Sequence, residues 1–153
     1  MYSYKHPRPV ATGDMIIPNE KGEILLIQRK NPPFQGQYAL PGGFLEVDCE
    51  TMEHCAMREA EEETGLKVEI DRLVGIYSHP KRDPRAHSIT AAYLAKPVSH
   101  EEAAQARAAD DATELLWIHP KSDKYQAIDL AFDHARIDAD AFGMPCSFSY
   151  PNI

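Results

Sequence analysis

Residues 42–66 read GGFLEVDCETMEHCAMREAEEETGL, and this stretch constrains the fold more than any other part of the chain. A glycine pair is followed within a few residues by a run rich in helix-forming side chains. We predict that a helix begins near Asp48 or Glu50. It should end at Gly65, because glycine adopts the left-handed conformation that closes many helices. The sequence therefore predicts a glycine loop that leads into an acidic helix.

Three glutamates share one side of this predicted helix. An α-helix turns by about 100° per residue, so Glu59, Glu62 and Glu63 fall within an arc of roughly 100°. The arc borders an apolar stripe made of Met52, Cys55, Ala56 and Ala60. Each like-charge pair costs under about 1 kcal/mol in water but about 3 kcal/mol at an effective dielectric of 20. A fully solvated cluster is therefore tolerable, whereas a partly buried one favours a hard divalent cation such as Mg²⁺.

The same stretch resembles the Nudix box, which reads Gly, five residues, Glu, seven residues, Arg-Glu, a hydrophobe, any residue, Glu-Glu, any residue, Gly and a hydrophobe. The matching positions are Glu50, Arg58, Glu59, Ala60, Glu61, Glu62, Glu63, Thr64, Gly65 and Leu66. One spacing departs from the pattern, because six residues separate Gly43 from Glu50. The extra residue lies in the loop around residues 47–49. It keeps the helix register intact and leaves the role of Glu50 open.

The resemblance implies a set of metal ligands and catalytic groups. Glu59 and Glu63 would be the principal Mg²⁺ ligands, Glu62 would share an ion, and the Gly42 carbonyl would complete the sphere, with Mn²⁺ as a substitute. Arg58 would pair with a carboxylate of the box and orient it, the alternative being an ordinary surface charge. The base that activates water would be a glutamate of the box or an acid of the later loop, either Glu114 or one of the pair Asp110-Asp111, with Asp111 as the candidate of that pair. The alternative for Asp110 and Asp111 is that they are solvated loop acids.

The rest of the chain alternates strand-like and helix-like segments. Apolar runs predict strands over residues 10–17, 23–30, 38–40, 68–77, 88–95 and 115–118. Residues 101–109 have helical propensity, and a second amphipathic helix is predicted over about 129–142, with His134 on its apolar face as a satisfied core histidine. This order fits the Nudix fold that the resemblance implies, an α/β/α sandwich with a mixed β-sheet between helices. We expect residues 1–153 to form one such domain.

Composition limits the class of protein. The chain has 153 residues, of which 43% are hydrophobic and 26% charged, as in ordinary globular domains. Its formal charge of −8 argues against a nucleic-acid partner, whose binding site would be basic. No stretch approaches the length of a membrane span or a secretory leader, so no membrane partner is expected. Three cysteines without zinc-type spacing predict reduced thiols in a cytoplasmic protein.

A second polar cluster, residues 82–87, reads RDPRAH. Arg82 and Arg85 bracket an Asp-Pro corner and would suit phosphate or, with Asp83, ribose hydroxyls, because guanidinium binds oxyanions in a bidentate manner. An exposed turn with incidental charge is the alternative. Arg29 is placed for either a phosphate contact or an ion pair. Phe34 and Tyr38 could stack on a base or ribose, or simply pack the loop.

The segments around residues 34–43, 77–87 and 130–134 resemble the ADP-ribose pyrophosphatase branch of the Nudix family. That resemblance implies Mg²⁺-dependent hydrolysis of a nucleoside diphosphate linked to another group, with ADP-ribose giving AMP and ribose 5-phosphate. The partner would be a small nucleotide-sugar substrate, and the branch also includes homodimers. Two alternatives stay open, namely a hydrolase of oxidised nucleoside triphosphates and a non-catalytic sensor of ADP-ribose.

Overall fold

The computed structural model describes residues 3–109 and 112–153. Its strands are β1 (Val10–Ile16), β2 (Ile24–Arg29), β3 (Tyr38–Ala39), β4 (Gly42–Phe44), β5 (Ile70–Tyr77), β6 (Ser88–Ala95) and β7 (Ala112–Ile118). Its helices are α1 (Met52–Thr64), α2 (His100–Ala103), α3 (Asp123–Gln126) and α4 (His134–Phe142). In this part of the chain, no helix has the length and apolar character needed to cross a bilayer.

The strands form two sheets with helices on both sides. The four-stranded sheet has the order β4-β1-β6-β5, and the three-stranded sheet has the order β3-β2-β7. Strands β1 and β6 run parallel, whereas β1–β4, β5–β6, β2–β3 and β2–β7 are antiparallel. Helix α1 packs on β1 and β4, and α4 packs near β5. The predicted α/β class with a mixed sheet is confirmed, although a second, antiparallel sheet accompanies the mixed one.

Helix α1 sits close to β1 because the strand presents a glycine to it. A Cβ atom at Gly13 would lie 3.0 Å from the Ala56 amide nitrogen, tighter than ordinary packing allows. The helix starts at Thr51, whose side chain accepts a hydrogen bond from the His54 amide. It ends at Gly65 with φ of 76°, as predicted. The predicted start was two to four residues too early, because the preceding segment forms a turn instead.

The predictions for the other helices need correction. The segment 129–142 is helical only from His134, because Leu130 forms a parallel bridge with Tyr38 and Phe132 has a positive φ of 54°. Of the predicted segment 101–109, only residues 101–103 are helical, as part of α2 (His100–Ala103), which Ser99 caps. Helix α3 was not predicted. The late start of α4 leaves residues 131–133 as a tight turn after the bridge of Leu130 to β3, and Phe132 of this turn lines the site described below.

Two hydrophobic clusters hold the layers together. One lies between α1 and the sheets and includes Met15, Ala56 and Ala60, which are fully buried. The other lies on the α4 side and includes Ile16, Leu26 and Ile137, also fully buried. Successive β1 residues alternate between these clusters because strand side chains alternate between faces. The same alternation sends Thr12 and Asp14 toward the α4 side.

Candidate active site

A cavity of about 380 Å³ opens between the two sheets. Its floor is the α4-facing side of β1, and one wall carries glutamates of α1 and the glycines of β4. The loop around residues 82–85 and residues 132–134 also line the cavity, and Arg85 lies 5.1 Å from the centre of the Phe44 ring of β4. Carboxylates and guanidinium groups therefore line the same cavity.

Two of the three predicted glutamates, Glu59 and Glu63, line this cavity. The Glu63 carboxylate accepts a hydrogen bond of 2.9 Å from the Gly42 amide. Burial and the negative charges of the nearby Glu59 and Asp14 carboxylates together raise the pKa of Glu63 to about 8. Burial also raises the pKa of Glu59. Glu59 and Glu63 are therefore partly buried, and the alternative of a fully solvated glutamate cluster does not hold for these two residues.

The β4 glycines allow the helix to bring Glu59 against the strand. A Cβ atom at Gly43 would lie 2.5 Å from the Glu59 carboxyl carbon and from Oε1. Real Cβ contacts at that distance do not occur, so the Glu59 carboxylate occupies the space that any other residue's side chain would need. Gly43 is therefore required in β4 because the strand and the Glu59 side chain approach closely.

Arg58 ties the loop to the helix. Its guanidinium binds Glu50 through both oxygens, at 2.8 Å from Nε and 2.7 Å from Nη2. Nη1 also donates to Glu59 at 2.9 Å and to Glu62 at 3.2 Å. The hydrogen bonds from Arg58 lower the pKa of Glu50 to about 2. Arg58 therefore orients carboxylates of the box, as the sequence predicted, and Glu50 has a defined structural role.

The extra residue in the loop is absorbed before the helix begins. Cys49 donates its amide to the Glu46 carbonyl at 3.1 Å, which closes a turn. Within that turn Asp48 has φ of 66°, a left-handed conformation that aspartate tolerates better than most residues. Glu50 consequently still reaches Arg58.

Glu62 is placed differently from its two neighbours. Its side chain is 58% exposed and is absent from the described lining of the cavity. It points toward Arg58 at the edge of the helix. Its predicted share in binding an ion stays a prediction.

The donor chemistry of the glutamate wall fits a hard divalent cation. Glu59 and Glu63 are carboxylates held close together, partly desolvated and beside backbone carbonyls of a glycine loop, which are the oxygen ligands that Mg²⁺ accepts. Burial raises the pKa of both carboxyl groups, so their ionised forms would be favoured by a bound cation. Within residues 3–109 and 112–153, no three acidic, histidine or cysteine side chains already converge in a metal-binding arrangement. The residues are therefore suited to a metal without forming a closed cage.

Sequence reasoning missed two polar residues on the cavity floor, Thr12 and Asp14. The Asp14 carboxylate accepts a hydrogen bond of 2.6 Å from the Thr90 hydroxyl, and its other oxygen lies 3.7 Å from His134 Nε2. The Thr12 hydroxyl is buried and has no hydrogen-bond partner among the described residues. The available signal was two polar residues at alternate positions of an otherwise apolar strand.

His134 is a core histidine with a fixed protonation state. Its Nδ1 accepts a hydrogen bond of 2.9 Å from the Leu40 amide, so the ring proton belongs on Nε2, which faces Asp14. Burial lowers the pKa of His134 and keeps the ring neutral. The interpretation of this residue as a satisfied core histidine agrees with the structure.

The arginine loop contributes one buried and one exposed guanidinium. Arg82 is buried and binds both oxygens of Asp133, at 2.9 and 2.7 Å, and it also donates to the Ser88 hydroxyl at 2.7 Å. Asp83 pairs with Arg85 at 2.9 Å. All three predicted residues of the loop line the cavity, but Arg82 is committed largely to Asp133. Arg85 carries the more accessible positive charge.

The C-terminal segment completes the buried pair. The Tyr150 hydroxyl donates to Asp133 at 3.0 Å, and the Tyr150 ring stacks on His79 with 4.1 Å between centroids. The C-terminal segment therefore packs against the body of the protein. Asp133 thus joins the C-terminal segment to the arginine loop, because it accepts hydrogen bonds from both Tyr150 and Arg82.

The aromatic residues at the cavity differ from the two that we predicted. Phe44 and Phe132 line it, whereas Phe34 and Tyr38 are absent from the described lining. Phe34 packs edge-on against Phe132 at 4.8 Å, and the Tyr38 hydroxyl bonds to the Glu114 carboxylate. The alternative of loop packing therefore describes Phe34 and Tyr38 in this structure.

The remaining predicted site residues are Arg29, which ends β2, and the three acids proposed as the base. Arg29 lines the cavity, donates to the Pro33 carbonyl at 2.7 Å and lies 5.1 Å from the centre of the Phe132 ring. Asp111, a candidate base, lies outside the described residues, as does Asp110. Glu114 is described but is held by Tyr38 and is not part of the described lining.

Comparison with known proteins gives a consistent result. The NUDIX domain family model matches residues 7–140. An ADP-ribose pyrophosphatase from Methanocaldococcus jannaschii is 42% identical over 137 residues, which cover 90% of this chain and 74% of that protein. The ADPR responsive transcriptional repressor NtrR of Acinetobacter baylyi is 33% identical over 149 residues, covering 90% of this chain but only 54% of the repressor.

A solved structure of a NUDIX domain is similar to this chain in its fold. The NUDIX domain of Shewanella oneidensis NrtR, crystallised with ADP ribose, superposes with a TM-score of 0.78 and 27% identity. The match covers 92% of this chain and 91% of that domain. The likeness therefore extends over nearly the whole of both chains.

Proposed function

This chain belongs to the Nudix family, and on that premise we propose that it is a Mg²⁺-dependent pyrophosphohydrolase whose preferred substrate is ADP-ribose. The products would be AMP and ribose 5-phosphate. The observation that carries the proposal is the cavity that half-buried Glu59 and Glu63 line together with the arginine loop. The 42% identity to a protein named ADP-ribose pyrophosphatase supports the choice of substrate.

We propose that Glu59, Glu63 and the Gly42 carbonyl hold the cation, with Glu62 completing the set from the edge of the helix. Mn²⁺ should substitute for Mg²⁺, since both prefer oxygen ligands. When bound, the cation would neutralise charge on the diphosphate and lower the pKa of a bound water.

The chain's own side chains position the substrate. Arg58 fixes Glu59, and the Gly42 amide fixes Glu63, so both carboxylates are oriented before substrate binds. Arg85 offers positive charge to the diphosphate, and Arg29 lines the same cavity, with both guanidinium groups near the Phe132 ring. A glutamate of the box or Asp111 would accept the proton of the attacking water.

We further propose that residues 1–153 form a single cytoplasmic domain. The three cysteines are free thiols, which suits a reducing compartment. A homodimer is the expected assembly, and its measurement is light scattering after gel filtration. A mass of one chain, 17.2 kDa, would contradict the dimer without affecting the proposed reaction.

A sensor of ADP-ribose is the second candidate, and the repressor relative favours it. The intact glutamate pair facing the cavity favours catalysis, because a sensor has no need for it. A hydrolase of oxidised nucleoside triphosphates would share the glutamates but has no evident use for the arginine loop.

The test is a substrate panel with purified protein, with and without EDTA. ADP-ribose with Mg²⁺ should give AMP, faster than 8-oxo-dGTP is cleaved, and EDTA should abolish both reactions. Binding of ADP-ribose without production of AMP from neutral to alkaline pH would establish the sensor instead. A higher kcat/KM for 8-oxo-dGTP would establish the nucleotide-cleaning activity.

A further inference from the structure

Two residues, Leu40 and Pro41, carry the chain from one sheet to the other. Strand β3, which precedes them, belongs to the three-stranded sheet, and β4, which follows them, belongs to the four-stranded sheet. Pro41 has no backbone N–H, so Leu40 supplies the only amide donor of this link. Leu40 is buried, and a buried amide that loses water must find an acceptor within the protein. The link therefore depends on an acceptor from another part of the chain.

His134 supplies that acceptor. It is the first residue of α4, and its Nδ1 accepts the Leu40 amide at 2.9 Å inside the core. The turn before it fixes the ring, because the Ala131 amide donates to the Tyr38 carbonyl at 2.8 Å and the His134 amide donates to the Ala131 carbonyl at 3.2 Å. The start of α4 and the end of β3 are thus joined on both sides of the histidine.

The link leads directly into the segment to which we assign the cation. Gly42 follows Pro41, and its amide orients the Glu63 carboxylate at 2.9 Å. His134 also faces this glycine by a second route, since its Nε2 lies 3.7 Å from Asp14 Oδ1 and a Cβ atom at Gly42 would clash with that same oxygen. His134 therefore contacts both the backbone before Gly42 and the side chain packed against it.

We infer that His134 is a positioning residue for the cation site, an inference that rests on the proposed function. It acts through the backbone rather than as a ligand, because its Nδ1 is occupied by the Leu40 amide. Groups that orient the ligands of a metal typically change metal affinity or activity by about 10–100-fold when they are mutated. A histidine that only filled the core would affect stability alone.

The experiment compares two substitutions of this residue. His134→Leu removes the acceptor and keeps an apolar side chain in the core, whereas His134→Asn has a side-chain oxygen that can take the place of Nδ1. The affinity for Mn²⁺ is measured without substrate, from the EPR signal of the free ion. The Kd should rise about tenfold in His134→Leu and stay within about threefold of the parent in His134→Asn.

Tyr125→Phe is the matched control, because it removes another buried hydrogen bond of α4, the 2.6 Å bond to Asp138, outside the described cavity lining. It should lower the urea midpoint, as His134→Leu does, but keep the parent's Kd for Mn²⁺. If His134→Leu does not fold, His134→Gln takes its place, because the longer side chain carries its amide beyond the position of Nδ1.

Three results would overturn the inference. The first is a parent-like Kd for Mn²⁺ in His134→Leu. The second is an equal loss of affinity in His134→Asn and His134→Leu, since the acceptor would then be irrelevant. The third is a weaker affinity in Tyr125→Phe, since lost stability alone would then account for the effect.

Measurement without substrate separates this inference from the proposed function. If the parent binds Mn²⁺ but releases no AMP from ADP-ribose, the hydrolase proposal fails, and the Mn²⁺ affinities of the variants still decide the role of His134. If the parent binds no Mn²⁺, both the cation site and the role of His134 are overturned.

Discussion

Gly43→Ala is the perturbation whose effect the structure defines most closely. The new Cβ would lie 2.5 Å from the Glu59 carboxyl carbon, whereas ordinary contact begins at 3.4 Å. The Glu59 carboxylate must therefore move by about 0.9 Å, the difference between these distances. Gly43 has no positive φ to restrict the substitution, so the effect should arise at Glu59 rather than in the backbone.

Such a shift should damage activity far more than stability. Glu59 would leave the position in which Arg58 Nη1 holds it at 2.9 Å. Misplacement of a catalytic group by about 1 Å can cost about 100-fold in rate, so kcat/KM for ADP-ribose should fall by about that factor. If Glu59 binds the cation, the Mg²⁺ concentration for half-maximal activity should rise by about tenfold, equivalent to about 1.4 kcal/mol.

The assay is release of AMP from ADP-ribose at Mg²⁺ concentrations from micromolar to tens of millimolar. Gly75→Ala is the matched control, because its Cβ would meet only the Tyr77 ring, at 3.3 Å, on a strand outside the described cavity lining. It should keep the parent's Mg²⁺ dependence. Parent-like kcat/KM and Mg²⁺ dependence in Gly43→Ala would refute the assignment of Glu59 to the reaction.

Three further predictions concern charge. Glu63→Gln keeps an oxygen that can accept from the Gly42 amide but removes the negative charge. The kcat should therefore fall by at least about 100-fold, while the Kd for ADP-ribose, measured by calorimetry, should change little. A kcat similar to that of the parent would contradict the role of Glu63. Asp133→Ala leaves Arg82 buried without its carboxylate partner and should lower the free energy of unfolding, measured with urea, by about 3–5 kcal/mol. A decrease below about 1 kcal/mol would be inconsistent with the observed ion pair. Burial raises the pKa of Asp138 from 3.8 to about 7, so its stabilising contribution is complete below about pH 4 and is lost as pH rises through 7. Asp138→Asn should therefore gain up to about 3 kcal/mol relative to the parent between pH 5 and 8, and an unchanged difference would show that Asp138 does not titrate there.

The parts of the site that were predicted from sequence are those specified by neighbours along the chain. The register of Glu59 and Glu63 follows from helix geometry alone, and Gly65 ends the helix through its own backbone preference. Arg58 is within one or two turns of its helical partners. Such features depend on a few consecutive residues, so periodicity was sufficient to predict them.

The missed features depend on contacts between distant segments. Asp14 gains its environment from Thr90 and His134, which no local pattern connects to it. Phe132 reaches the cavity because Leu130 pairs with Tyr38 and holds residues 130–133 out of the helix, although their apolar spacing fits a helical stripe. The commitment of Arg82 to Asp133 likewise joins positions 51 residues apart. Tertiary contacts overrode the local preference in each case.

The turn at Asp48 affects how proteins of this kind are found. A pattern search that demands a fixed count between the glycine and the first glutamate would pass over this chain, although its ion pair between Glu50 and Arg58 is fully formed. A search that allows one inserted residue and tests for that pair in three dimensions would recover it. The loop accommodates its extra residue because Asp48 adopts a left-handed backbone conformation.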